Sequence, residues 1–174
     1  MFFDHIKRLN FVPEIIIDVG VAGGTYDLYR AFPDAHYLMF EPLKAFEVKI
    51  KELLKNKVSG EYFNVALSDH IGMDPINANR NSLDGASIKL SNKTLDFGKF
   101  LREVKVDILD NYLDLFSIES PVLLKTDCQG ADIDVLKGGE SSLNYVDMLI
   151  IESQLFNTSG GSGEFYASKK FCTL

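Results

Sequence analysis

The chain of 174 residues has little of what several protein classes require. Its two cysteines, Cys128 and Cys172, are too few for a disulfide framework, and their spacing matches no metal-binding motif. The longest apolar runs, such as residues 15–17 and 148–151, are far too short to cross a bilayer. The N-terminus also lacks the apolar stretch of a signal peptide. We therefore expect a cytoplasmic protein with no membrane span.

Positive charge and histidine are also scarce. The chain carries 18 Lys and Arg against 25 Asp and Glu, a formal net charge of −7. Because nucleic acids and anionic lipids are polyanions, this balance argues against both as partners. The three histidines, His5, His36 and His70, fall on separate segments, so the sequence predicts no metal site. The length and the globular composition predict one domain, residues 1–174.

Short β-branched runs alternate with helical patterns along most of the chain. The strands predicted from these runs are residues 14–19, 36–40, 61–67, 104–108, 121–126 and 146–152. The predicted helices are residues 25–31, 43–55, 109–116 and 131–137. Continuous apolar strands are typical of a parallel sheet that is covered on both faces. We therefore predict an α/β fold, with a mostly parallel central sheet and helices on both faces.

Two stretches of the chain do not follow this alternation. Residues 70–100 are rich in Asn, Ser, Asp and Gly, and we predict a long loop there, with room for one short helix. The tail contains the Ser/Gly segment 159–163 and is too short for a helix and two further strands. We expect the core at about residues 10–156, a flexible or truncated tail at 157–174, and no terminal antiparallel strands. The strand at 146–152 would then be an exposed edge, which predicts a homodimer or low stability.

The carboxyl ends of the strands are where an open α/β sheet binds its ligands. The residues at these ends are Asp18 with 20–24, Glu41, 66–69, 127–130 and Glu152. In the first turn, Gly20, Gly23 and Gly24 lack a Cβ atom and let a ligand approach the backbone. The dinucleotide pattern G-x-G-x-x-G fails, because Ala22 and Thr25 stand at its third and sixth positions. This failure argues against a nicotinamide-dependent dehydrogenase.

Asp18 and Glu41 are the acids that follow the first two strands. A carboxylate beside a glycine turn repels a pyrophosphate but suits a ligand that carries an ammonium or sulfonium group. Glu41 lies 23 residues after Asp18, and its two oxygens can bind the vicinal hydroxyls of a ribose. The alternatives are that Asp18 caps a tight turn and that Glu41 is a first-turn helix acid beside Pro42.

Lys125 and Asp127 are the candidates for chemistry at the strand predicted over residues 121–126. They are two positions apart on extended chain, so both point to the same face. Asp127 is the candidate general base, although a neighbouring cation weakens a carboxylate as a base. The alternatives are that Asp127 caps the helix that begins near residues 130–131, and that Lys125 is its structural partner.

The chain contains, in this order, the blocks IIIDVGVAGGTYDLYR, MFEPL, NVALSD, VDILDNYL, LLKTDCQGADIDVLKGG and LIIES. Over about residues 10–156 this order resembles the FkbM-type S-adenosylmethionine-dependent methyltransferases. The resemblance implies a Rossmann-like methyltransferase fold and S-adenosyl-L-methionine as the cofactor. It also implies methyl transfer to a hydroxyl of a small-molecule or glycan acceptor, such as a sugar or a natural product. The alternative is a truncated or non-catalytic cofactor-binding or scaffold module of the same fold.

The resemblance also implies roles for single residues. Those expected to hold the methionine end of the cofactor are Asp18, Gly20, Ala22, Gly23 and Gly24. Glu41 matches the acid on the ribose hydroxyls. Those expected near the adenine are Ala66, Leu67 and Ser68. Lys125 and Asp127 match the family's Lys-x-Asp block and are the expected catalytic residues.

The chain departs from the family pattern at a few positions. Val21 and Ala22 stand where the family usually has Ala and Asn. Gln129 and Asp132 each replace a usual Glu. The amide side chain at position 129 argues against a catalytic duty there.

Overall fold

The computed structural model describes residues 2–79, 82–87, 99–113 and 121–151. Its strands are β1 (Ile15–Val19), β2 (His36–Phe40), β3 (Ser59–Phe63), β4 (Ala66–Leu67), β5 (Gly72–Asn79), β6 (Ser82–Ser87), β7 (Lys99–Asp107), β8 (Val122–Thr126) and β9 (Met148–Ile151). Its helices are α1 (Phe2–Arg8), α2 (Tyr26–Ala31), α3 (Glu47–Asn56) and α4 (Asp132–Lys137). The expectations for Glu152 and for the tail lie outside the described residues.

Five strands form a parallel sheet in the order β3-β2-β1-β8-β9. The central strands β1 and β8 are almost entirely buried, as expected where both faces of a parallel sheet are covered. The chain builds outward from β1 to β3 in one direction and from β8 to β9 in the other, so the switch point lies between β1 and β8. The α/β, Rossmann-like fold predicted from the sequence is confirmed. β9 is the outermost strand described, and self-association at this edge stays a prediction.

Alternating side chains divide the core between the two faces of the parallel sheet. On the first face α1, α2 and α3 pack on the strands, and the almost fully buried residues include Ile16, Leu28, Tyr37, Met39, Ile50 and Leu123. On the second face α4 and the segment after β7 pack on the strands, and the corresponding residues include Ile17, Phe40, Leu109, Leu124, Val135 and Leu136. Because both faces are covered, the turns at the carboxyl ends of the strands are the places where a ligand can reach the sheet.

The single strand predicted at residues 61–67 is two strands. β3 ends at Phe63 in the parallel sheet, and β4 begins at Ala66 in a separate sheet. Between them, the side-chain amide of Asn64 donates to the carbonyl oxygens of Glu41 and Pro42 at 3.0 and 2.9 Å. These bonds fix the chain where it changes sheets. Both parts are extended, so the apolar pattern gives no sign of the change.

The prediction of a long loop at residues 70–100 is wrong at residues 72–79, 82–87 and 99–100, which form strands, and its remaining part from 80 to 98 lies outside the described residues. β5, β6 and β7 join β4 in a second sheet of order β4-β7-β5-β6. β5 and β7 pair antiparallel over eight residue pairs, and β7 extends the predicted strand at 104–108 towards the N-terminus. The buried apolar residues described in this sheet's core are Leu43, Ala66, Ile76, Val104 and Val106. The sequence of residues 70–100 shows little apolar periodicity, and backbone pairing joins the strands that the structure describes there.

The predicted helices differ in form from those observed. The helix predicted at 43–55 is a turn of 3-10 helix, Lys44–Phe46, that continues into α3. Of the helix predicted at 109–116, the described part is a 3-10 turn at Leu109–Asn111. α1 lies where the sequence analysis predicts no element. In the part of the chain that the structure describes, no helix has the length and apolar character needed to cross a membrane.

Candidate active site

The turn between β1 and α2 contains three residues with left-handed backbone. Gly20, Ala22 and Gly24 have φ angles of +76°, +44° and +103°. Such angles are easy for glycine and costly for alanine, so Ala22 needs support from its surroundings. The N–H of Gly20 donates to the carbonyl oxygen of Phe40 at 3.0 Å, which ties this turn to the end of β2.

The turns after β1 and β8 are in direct backbone contact. A Cβ atom on Gly20 would lie 2.1 Å from the carbonyl oxygen of Asp127. The N–H of Asp127 donates to the carbonyl oxygen of Val19 at 3.0 Å. Glycine is therefore required at position 20 for the close approach of two turns of the protein, whatever ligand binds above them.

Glu41 connects the turn after β1 to the chain after β2. Its side chain is buried, with the residue 4% exposed. Oε2 accepts from the N–H of Ala22 at 2.9 Å, and Oε1 accepts from the N–H of Leu43 at 2.8 Å. The first bond supplies the support that left-handed Ala22 needs. A carboxylate has about four acceptor sites, so it can bind several donors at once.

Asp18 and Lys125 form a buried ion pair beneath these turns. The parallel register places them opposite each other, and Lys125 Nζ lies 3.0 Å from Asp18 Oδ1. The second oxygen, Oδ2, accepts from the hydroxyl of Tyr29 at 2.8 Å. Burial alone would lower the pKa of Lys125, but Asp18 and then Asp127 outweigh it, so the pKa is raised and the ammonium stays charged. Burial, followed by the charge of Asp18, raises the pKa of Tyr29 and keeps its hydroxyl protonated.

This geometry corrects the alternative that pairs Lys125 with Asp127. Lys125 lies within β8, directly across from Asp18, whereas Asp127 lies beyond the end of the strand. The cross-strand partner is therefore the nearer acid. Asp18 is fully buried and has a protein partner on each oxygen, so it is a buried counter-ion as well as the residue before the glycine turn.

Asp127 is half-buried and lies in the turn that follows β8. Its Oδ1 accepts from Nε2 of Gln129 at 3.0 Å, and no described residue donates to its Oδ2. Gln129 and Gly130 are both left-handed, with φ angles of +50° and +102°. The described residues therefore hold one carboxylate oxygen of Asp127 and leave the other without a donor from among them.

Asp132, rather than Asp127, holds the start of α4. Its Oδ1 accepts from the N–H of Cys128 at 3.1 Å and its Oδ2 from the N–H of Gly130 at 3.3 Å. The alternative in which Asp127 caps this helix is therefore wrong, because the acid in the first turn of α4 reaches back to the same loop. Burial, followed by the charge of Asp132, raises the pKa of the Cys128 thiol, which argues against a nucleophilic cysteine.

The residues expected near the adenine lie against β7 and the end of α4. Ala66 and Leu67 form β4, which pairs with β7, and the N–H of Ser68 donates to the carbonyl oxygen of Asp107 at 2.9 Å. A Cβ atom on Gly138 would lie 1.9 Å from the carbonyl oxygen of Ser68. These contacts pack Ser68 on the end of α4, and their role at an adenine stays a prediction.

The structure thus brings together Gly20, Ala22, Glu41 and Asp127, with Asp18 and Lys125 beneath them. Sequence reasoning did not identify Tyr29 as a hydrogen-bond partner of Asp18, nor Gln129 as a hydrogen-bond partner of Asp127. Asp132 carried a usable signal, because an acid in the first turn of a helix commonly accepts from the exposed N–H groups there. Within the described ranges, no three His, Cys, Asp or Glu side chains converge as metal ligands.

Comparison with known proteins agrees with this architecture. The family description "Methyltransferase FkbM domain" matches residues 18–168, which include the turns after β1, β2 and β8. Methyltransferase sdnD of Sordaria araneosa is 27% identical over 186 aligned positions, which cover 88% of this chain and 72% of that protein. No solved structure gives a significant match. Because the family match spans most of its length, the chain belongs to the FkbM methyltransferase family.

Proposed function

We propose that the chain is an S-adenosylmethionine-dependent O-methyltransferase with its cofactor over the turns that follow β1, β2 and β8. The observation that carries this proposal is the joining of the three turns at the switch point, through the Gly20–Asp127 backbone contact and the Glu41–Ala22 hydrogen bond. When bound, the cofactor supplies a methyl group already activated on a sulfonium. Family membership supports methyl transfer, and the chemistry of the turns supports this cofactor.

The side chains at these turns fit a ligand that carries both hydroxyl groups and positive charge. The carboxylate of Glu41, held by backbone N–H groups of the turn after β1 and of the chain after β2, is a group of the kind that accepts from ribose hydroxyls. Asp127 offers Oδ2 to a cationic or hydroxyl group, and the ammonium of Lys125 is engaged by Asp18. Asp18 lies too deep for direct contact, so we assign it the support of the glycine turn.

Asp127 is also the residue placed to accept a proton from the acceptor hydroxyl. Its Oδ1 is held by Gln129, and its Oδ2 is the atom on which the proton would be held. The acceptor that we propose is a hydroxyl of a sugar or a natural product. Methyl transfer from a sulfonium mainly requires alignment, so holding the acceptor oxygen in line is the larger task of the site.

Calorimetric titration with S-adenosylhomocysteine tests the cofactor site, with NAD titrated in parallel. We expect the first ligand to bind and NAD not to bind. Glu41→Gln should weaken binding because it removes one carboxylate oxygen, whereas Glu52→Gln, on the exposed side of α3, should leave it unchanged. Binding of NAD alone, or equal binding by the Glu41→Gln variant, would reject the cofactor assignment. Binding of neither ligand would favour a non-catalytic module.

Transfer of labelled methyl from S-adenosylmethionine to a panel of hydroxylated sugars and natural products tests the reaction. We expect the label in an O-methyl ether, with the rate reduced in Asp127→Asn by about 100-fold or more, the usual contribution of a general base. If Asp127→Asn instead abolishes S-adenosylhomocysteine binding, Asp127 holds the cofactor rather than the acceptor. Label on nitrogen or carbon would reject the O-directed assignment.

A further inference from the structure

The β8 turn contains a glutamine in a backbone conformation that glycine would adopt more easily. Gln129 has a φ angle of +50° and is followed by Gly130 at +102°. Left-handed residues other than glycine, asparagine and aspartate are uncommon and cost conformational energy. A glutamine at this position therefore calls for a gain from its side chain, and the contact that the side chain makes is with Asp127.

The backbone of Asp127 is already fixed from two sides. Gly20 packs against its carbonyl oxygen, and its N–H donates to Val19 at 3.0 Å. Asp132 holds the N–H groups of Cys128 and Gly130, so the loop that follows is fixed as well. What these contacts leave undetermined is the direction of the Asp127 carboxylate, and the bond of 3.0 Å from Gln129 Nε2 to Oδ1 sets it.

An amide suits this task better than a carboxylate on a side chain of the same length. The amide NH₂ donates a hydrogen bond and stays neutral, whereas a carboxylate would repel Asp127. We propose that Gln129 is a positioning residue that clamps Oδ1 of Asp127 and presents Oδ2 to the acceptor hydroxyl. The inference rests on the proposed function of Asp127, and it gives Gln129 a role that acts through Asp127.

Gln129→Gly separates this role from a structural one. Glycine accepts the left-handed backbone, so the thermal midpoint should be kept or raised while the clamp is lost. We expect KM and the S-adenosylhomocysteine Kd near wild type and kcat lower by about 10- to 100-fold, as for a misplaced catalytic group. Asn10→Gly is the matched control, because Asn10 is also left-handed, with a φ angle of +59°, and lies on the exposed N-terminal segment.

A second variant tests the chemistry of the amide. Gln129→Glu keeps the length of the side chain but cannot donate when ionised, so we expect kcat at or below that of Gln129→Gly. Wild-type kcat in Gln129→Gly, or in Gln129→Glu, would overturn the proposal.

Side-chain amide exchange by NMR tests the clamp without any acceptor. The chain contains two glutamines, Gln129 and Gln154, so Gln129→Gly identifies the Gln129 signals by their loss. We expect its amide protons to exchange more slowly than those of a free glutamine, and Asp127→Ala to remove the difference. Free exchange in the wild type would overturn the inference. This result is separable from a failure of the proposed function, which would appear as absent S-adenosylhomocysteine binding while the slow exchange persists.

Discussion

Lys125 and Asp18 lie opposite each other on neighbouring parallel strands, with Nζ and Oδ1 3.0 Å apart in the interior of the protein. Each is two residues before a residue of the candidate site, Asp127 in the turn after β8 and Gly20 in the turn after β1. The ion pair therefore lies directly below the contact between the two turns. Removal of two charges from water is costly, but a single charge left without its partner is costlier still.

Lys125→Met should leave the Asp18 carboxylate buried without its counter-ion. We expect the free energy of unfolding to fall by about 3–5 kcal/mol, the usual result of breaking a buried pair. Urea denaturation measures it, with Lys57→Met on the exposed end of α3 as the control. The double variant Asp18→Asn/Lys125→Met should recover much of the loss. A single variant as stable as the wild type would contradict the buried pair.

Gly20→Ala should separate the two turns. The added Cβ would lie 2.1 Å from the carbonyl oxygen of Asp127, at a φ of +76° that alanine adopts poorly. We expect a loss of about 2 kcal/mol or more in unfolding free energy and weaker S-adenosylhomocysteine binding. Gly72→Ala is the matched control, because nothing lies within 4 Å of a Cβ at that position. Equal stability of both variants would refute the close approach.

The sequence predicts well those strands in which a run of apolar residues is also buried in the structure. β1, β2 and β8 read as short apolar runs, and each is buried in the centre of the sheet. The glycine turn and the acids at the strand ends follow from the same reading, because parallel strands present their carboxyl ends together. These parts of the candidate site are local in sequence.

The parts that the sequence does not predict depend on contacts between distant residues. Asp18 and Lys125 are 107 positions apart, and only the register of β1 on β8 makes them partners. The second sheet depends on backbone pairing between β5 and β7, with few described apolar residues to mark it. No local pattern records either arrangement, since register is decided by the packing of the whole sheet.

Tyr29→Phe should weaken the buried pair without breaking it. The hydroxyl donates to Asp18 Oδ2 at 2.8 Å, and its removal leaves one acceptor of a buried carboxylate unsatisfied. We expect a loss of about 1–3 kcal/mol in unfolding free energy. Tyr26→Phe is the control, because Tyr26 lies against Tyr29 on the same helix but is 49% exposed. If both variants unfold at the same denaturant concentration, the hydroxyl of Tyr29 contributes nothing to the pair.

Asp107, at the end of β7, should make the free energy of unfolding depend on pH in the acidic range. Burial alone would raise its pKa, but hydrogen bonds from Asn111, Lys105 and the N–H of Ile108 outweigh it and lower the pKa to about 2. A folded-state pKa below the ordinary value of 3.8 gives stability that is present above about pH 4 and is lost as the pH falls through about 2. We expect this group to contribute at most about 2 kcal/mol to the free energy of unfolding.

Urea denaturation at two pH values measures this contribution. The free energy of unfolding of Asp107→Asn should differ from that of the wild type at about pH 5 and much less at about pH 2, whereas that of the exposed-site variant Asp34→Asn should match the wild type at both. A constant difference at both values would exclude this linkage.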